Sequence, residues 1–215
     1  MPDGGAMYLT ERDEPRGGGL PPLASPAPAT ANVGTPPSGL LYPLDEFYRR
    51  AGLVVPVATL VDGAEMPEPY RTLLVHDRDM TPTLEAYHGD RIHLRTIGRR
   101  LDGDALSRLV VLTTNEALKP VEFGAIVIHL EQFPAAAREV LLGCRVPLGT
   151  VLAEFGIEHY SRPSAFLSVH ADPLINGSLD TTGTDVRYGR RNVLRTLAGQ
   201  SLADVIEILP PATAE

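Results

Sequence analysis

The sequence predicts an α+β protein: a six-stranded antiparallel sheet with helices over one face. Three observations carry that expectation. Strand-like runs and helical runs come in groups rather than in strict alternation, several strands are separated only by tight turn signals, and each helix is announced by its own start and stop residues. The chain has 215 residues, 43% of them apolar, enough for one compact domain with a real core.

Residues 1–39 stand apart. They hold Gly17–Gly19 and the run PPLASPAPATANVGTPPSG, which has too little apolar surface to offset its ordering entropy. The expectation is a disordered leader over 1–39, or an upstream start with Met7 as the true one, followed by a single domain over 40–215. At the front of that domain LYPLDEFYRRAG sets Leu41, Leu44, Phe47 and Tyr48 at helical spacing, with Gly52 as the stop. A second helix opens at Met80–Thr81–Pro82, with Thr81 as N-cap and Gly89 as the stop.

The period then changes. Arg91–Ile97, Leu106–Thr113 and Val121–Leu130 are rich in Val, Ile, Leu and Thr, and read as strands. Gly98 with Asp102–Gly103, and then Asn115–Glu116, mark the turns between them. Pro134 and Pro147 each start a helix, ended by Gly143 and Gly156. Three further strands follow at Ser164–Ala171, Tyr188–Leu197 and Leu202–Leu209, the last two joined at Ala198–Gly199.

Composition excludes several function classes. A net charge of −8 leaves no general basic footprint for nucleic acid, and the one dense cluster, Arg187–Tyr188–Gly189–Arg190–Arg191, is too short to make one. The six histidines never fall at a metal spacing such as HxxxH, so no metal is expected. The single cysteine, Cys144, sits in apolar LLGCRVPLG and reads as a packed thiol of a reducing, cytoplasmic compartment. No run reaches the ~18 apolar residues of a membrane span, and no secretory signal is visible.

Two charged residues interrupt apolar strands: Arg108 in LSRLVVL and Glu207 in ADVIEIL. Strand alternation would place such charges on a water face. The alternative is a sheet face that lines a closed pocket, where each buried charge needs a partner. A guanidinium binds a carboxylate through two parallel bonds, and a carboxylate accepts a hydroxyl proton. The helix starts at Met80 and Leu148 could add free amides beside Arg108.

From about Tyr70 to Pro210, four pieces in order resemble the chorismate pyruvate-lyase family, closest to its short actinobacterial and plastid-type members. They are LLVHDRDMTPTLE; SRLVVL with VEFGAIVIHLEQFP; the VPLGTVL helix start; and YGRRNVLRTLAGQSLADVIEILP. The resemblance implies removal of pyruvate from chorismate to leave 4-hydroxybenzoate, with no cofactor. It places the carboxylate-binding arginine on Arg108, the hydroxyl-binding and proton-handling glutamate on Glu207, and two carboxylate-binding amides on Met80 and Leu148. Ubiquinone-pathway lyases carry a second arginine where this chain has Ala125. His129, on the same strand face, and Arg190 or Arg191, one of which should point to water, are the candidates to replace it. The partner expected is a small aromatic or cyclohexadienyl carboxylate. The alternative readings are a non-catalytic binding domain for such a ligand, as in the effector-binding half of some transcription regulators, or an enzyme of the same fold acting on another acid.

Overall fold

The computed structural model describes residues 39–212; the expectations for a leader over 1–39 and for Met7 as the start concern a stretch that lies, apart from Gly39, outside them. Seven strands form one sheet, each paired antiparallel with its neighbours. In chain order they are β1 (Ala58–Val61), β2 (Ile92–Asp102), β3 (Ala105–Thr114), β4 (Pro120–His129), β5 (His159–His170), β6 (Val186–Thr196) and β7 (Ser201–Ile208). Their order across the sheet is β1-β5-β6-β7-β4-β3-β2.

The seventh strand corrects the expected six. β1 is four residues long, follows Pro56 and is half-exposed, so it lacks the apolar run that marks the others. It adds to the sheet as an edge, pairing Leu60 with Leu167 of β5. Gly98 also differs from its expected role. It does not turn the chain; β2 continues to Asp102 across a register shift between Thr96 and Gly98, and the turn falls at Gly103, whose φ is +58°. A glycine in a strand pattern fits either use.

Helices cover both faces rather than one. The helices are α1 (Leu44–Arg50), α2 (Tyr70–Leu74), α3 (Met80–His88), α4 (Ala135–Leu142), α5 (Leu148–Glu154) and α6 (Pro173–Leu179). Leu44 and Tyr48 of α1, with Leu174 and Ile175 of α6, bury against Leu109, Val111, Phe123, Ala125, Ile206 and Ile208. On the other face Ala137 and Leu141 of α4, with Val151 and Leu152 of α5, bury against Leu106, Ile126 and Ile128. The alternation of β3, β4 and β7 thus serves two cores, which is why their sequences run apolar almost without a break.

Helix starts follow local chemistry in most places. Asp172 caps α6 by accepting from the Ile175 amide at 2.9 Å, with Pro173 at the first helical position. At α3 the cap position is Asp79 and not Thr81, which lies one residue inside the helix. The prolines at 134 and 147 precede the first helical residue and occupy the cap positions of α4 and α5.

Asp172 has a second role, because Tyr48 of α1 donates to its Oδ1 at 3.0 Å. One carboxylate therefore holds α1 against the start of α6. Asp172→Ala is expected to cost about 1–2 kcal/mol, read as a lowered midpoint in urea denaturation with the slope unchanged.

Candidate functional site

The face that carries α3 and α5 encloses a cavity of about 70 Å³. One water needs ~10–15 Å³ on this measure, so there is room for several. The cavity lies over the middle of the sheet. Arg108, Val110 and Leu112 reach it from β3; Glu122, Gly124 and Ile126 from β4; Val205 and Glu207 from β7; Asn192 and Leu194 from β6. Asp79, Met80 and Thr81 at the start of α3, and Pro147, Leu148 and Gly149 at the start of α5, close it from above. The two helix starts pack tightly there: a Cβ on Gly149 would lie 3.2 Å from Thr81 Oγ1.

Arg108 is 1% exposed. It donates from a terminal nitrogen to the Val146 carbonyl at 3.3 Å, the Cys144 thiol lies beside it and favours its charged form, and among the described residues its buried Nε has no partner. No carboxylate among the described residues pairs with it. Burial lowers the guanidinium to about 10, which leaves it charged at neutral pH. This is a buried cation whose donors are mostly unspent, aimed along a sheet face into a cavity.

Glu207 is also buried, and its charge is already balanced. Arg190, wholly buried beside it, donates from Nε to Glu207 Oε2. The rest of that guanidinium ties down the chain leading into α3: it donates to the carbonyls of Leu74 at 3.2 Å, His76 at 3.0 Å and Arg78 at 3.2 Å. His76 completes the cluster. Its Nδ1 accepts from the Arg78 amide at 3.1 Å while Nε2 faces the Leu73 carbonyl at 2.7 Å, the pattern of a neutral ring protonated on Nε2. Burial and the neighbouring Arg190 hold its pKa below the usual value.

The other expected site residues divide. Met80 and Leu148 both border the cavity, each as the first residue of its helix. Arg190 does not line it, being spent on Glu207 and on the 74–78 backbone. His129 is elsewhere: it falls on the opposite sheet face, half-exposed, within 3.5 Å of Asp204. Hydrogen bonding to Asp204 raises its pKa. Ala125 borders the cavity, but its side chain is buried in the opposite core with Leu109 and Val111. A cation at 125 or 129 in this register would therefore not serve the pocket. The basic run at 187–191 is structural. Arg187 is buried among Asn176, Thr181 and Thr182, and Arg191 lies 5.4 Å over the Tyr42 ring. Cys144 is packed in the α4–α5 core.

Three polar lining residues, Asp79, Glu122 and Asn192, carry no expectation from the sequence, and Asp79 lies 3.0 Å from His159 Nε2. Glu122 is 5% exposed and its Oε2 has no partner. Asn192 donates to Ser161 Oγ at 2.8 Å and leaves its buried Oδ1 unpaired. Burial first, then the charge of Glu207, pushes the Glu122 carboxyl well above its ordinary 4.5, against the pull of Arg190. The rule that drew attention to Arg108 and Glu207, a charge inside an apolar strand, applies equally to Glu122 in VEFGAIVI.

Among the described residues no cluster of His, Cys, Asp and Glu could hold a metal ion, and no helix is long and apolar enough to cross a membrane. No family model and no curated protein matches the sequence. Solved structures overlap it in part. The ligand-binding domain described as that of a GntR-family transcriptional regulator from Bordetella bronchiseptica is 15% identical, with a TM-score of 0.42 over 55% of this chain and 85% of that one. The effector domain of PhnF from Mycobacterium smegmatis is 11% identical, with a TM-score of 0.46 over 61% and 87%. A GntR-family regulator from Bacillus cereus is 12% identical, with a TM-score of 0.40 over 58% and 94%. Overlaps of this size decide nothing about function.

Two outcomes follow from the charge arrangement. Arg190→Met strands Glu207 without its cation and frees the 74–78 segment, and is expected to cost about 3–5 kcal/mol of stability, read by chemical denaturation. Glu122 behaves in the opposite sense. Its folded pKa is raised, so its contribution is most favourable below the ordinary 4.5 and is lost as pH rises toward the folded value. Glu122→Gln is therefore expected to raise the melting temperature at pH 8 by more than at pH 4.5, and an equal shift at both would contradict the assignment.

Proposed function

We propose that the cavity binds a small monoanionic ligand of about one ring in size, an aromatic or cyclohexadienyl carboxylate, with its acid group on Arg108. The observation that supports this most is the state of that side chain. A guanidinium with an unpartnered buried Nε and no carboxylate paired with it among the described residues is costly unless a ligand supplies the negative charge. A ligand carboxylate can take the Nε and one terminal nitrogen in parallel. Met80 and Leu148, as first residues of their helices, have amides with no intrahelical partner, and these would assist. Glu207, held by Arg190, would accept a proton from a ligand hydroxyl. The same reading is supported, separately, by the family resemblance, which puts the same four residues in the same roles.

Elimination of pyruvate from chorismate is the narrower reading, and it rests on the resemblance alone. Chorismate carries two carboxylates. Among the described residues lining the cavity, Arg108 is the one arginine or lysine, because Arg190 is committed and neither position 125 nor position 129 presents a side chain to the pocket. A single free cation favours a monocarboxylate, and so a binding role, over the dianion. As a lyase the site would use Arg108 to fix the ring carboxylate and Glu207 to handle the proton near the departing enol.

Calorimetric titration of the full chain with 4-hydroxybenzoate tests the binding reading. Arg108→Ala is expected to weaken binding at least tenfold, the scale of a lost charge-assisted bond; equal affinity in the variant would remove the proposal. Incubation with chorismate tests the narrower one: release of 4-hydroxybenzoate and pyruvate in equal amounts, lost in Arg108→Ala, would establish it.

A further inference from the structure

The geometry points to a second carboxyl, Glu122, that works with Glu207 to select a ligand bearing a hydroxyl at the end remote from its anion. The inference rests on the Arg108 anchor proposed above and concerns the opposite end of the same cavity.

The two carboxyls meet over one residue. Gly124 is the cross-strand partner of Glu207. A Cβ built on Gly124 would lie 3.6 Å from Glu122 Oε1, so the Glu122 side chain folds over the glycine that faces Glu207. No larger residue fits there, since that Cβ would collide with the Ile206 carbonyl oxygen. Arg108 enters one row further along, opposite Ile126. Two residues of strand rise about 6.7 Å, which sets the Arg108 row apart from the row of Gly124 and Glu207 along the cavity floor, with Glu122 two residues further on in the same direction.

Charge decides the protonation of the pair. Glu207 has Arg190 as its counter-ion, in direct contact. Among the described residues Glu122 forms no ion pair of its own, and no donor reaches its buried Oε2. Arg190 balances one negative charge, and a second carboxylate in the same buried space would stand uncompensated. Glu122 keeps its proton. The pair thus presents one acceptor, Glu207, and one O–H donor, Glu122. The ligand group that satisfies both at once is a hydroxyl, giving its proton to Glu207 and accepting from Glu122. A methoxy group cannot give a proton, and an arylamine is a poor acceptor.

The test is calorimetry on the full chain with four probes: benzoate, 4-hydroxybenzoate, 4-methoxybenzoate and 4-aminobenzoate. The wild type is expected to bind 4-hydroxybenzoate about tenfold tighter than the other three. In Glu122→Met, which matches the volume and removes the hydrogen bond, the preference for 4-hydroxybenzoate over benzoate falls to about twofold. In Glu122→Gln, whose amide still donates, the preference persists. A wild type that binds all four alike overturns the inference, as does a Glu122→Met variant with the preference intact or a Glu122→Gln variant that loses it. In each of those cases loss of binding in Arg108→Ala leaves the anchor standing. Failure of every probe to bind the wild type overturns both.

Discussion

The pocket depends on the buried pair between Arg190 and Glu207. Neither residue could sit inside the sheet alone, since an uncompensated buried charge costs several kcal/mol. Together they do more than cancel. Arg190 spends its remaining donors on the carbonyls of Leu74, His76 and Arg78, and so fixes the segment that delivers Asp79, Met80 and Thr81 to the cavity. The floor and the lid are joined through one guanidinium. His76 fits this network as a neutral ring, with burial and Arg190 both opposing its protonation.

With that pair satisfied, the cavity keeps two groups incomplete among the described residues: Arg108, with no paired carboxylate and an unbonded Nε, and Glu122, with no ion pair of its own and an unbonded Oε2. Natural structures pair their buried polar groups with few exceptions. Among the described residues three such exceptions share this cavity, Asn192 Oδ1 being the third, and four more lie elsewhere, on Asp45, Ser178, Arg187 and Arg191.

Much of the architecture was legible in the sequence. β3, β4 and β7 announced themselves as long apolar β-branched runs, and the prolines at 82, 134 and 147 flagged three helix starts. β1 was not legible, because four half-exposed residues after Pro56 carry no period. α2 spans only five residues, and α6 sets Asn176, Gly177 and Ser178 in the middle of its seven, so neither shows a helical period. Arg108 and Glu207 stood out as charges in apolar strands. Which face each would take was decided by pairing: register sets Arg108 opposite Ile126 and Glu207 opposite Gly124, whereas His129 falls on the far face with Ala125. Arg190 was read as a ligand candidate because its cross-strand partner, Glu207, cannot be known before β6 and β7 are in register.

The central claim is that Arg108 awaits an anion, and a crystal structure of the full chain with 4-hydroxybenzoate tests it most directly. The account predicts the ligand carboxylate within hydrogen-bonding distance of Arg108 Nε, and the ring hydroxyl between Glu207 and Glu122. A cavity filled only with water while the ligand lies elsewhere, or a ligand turned with its carboxylate away from Arg108, would contradict it.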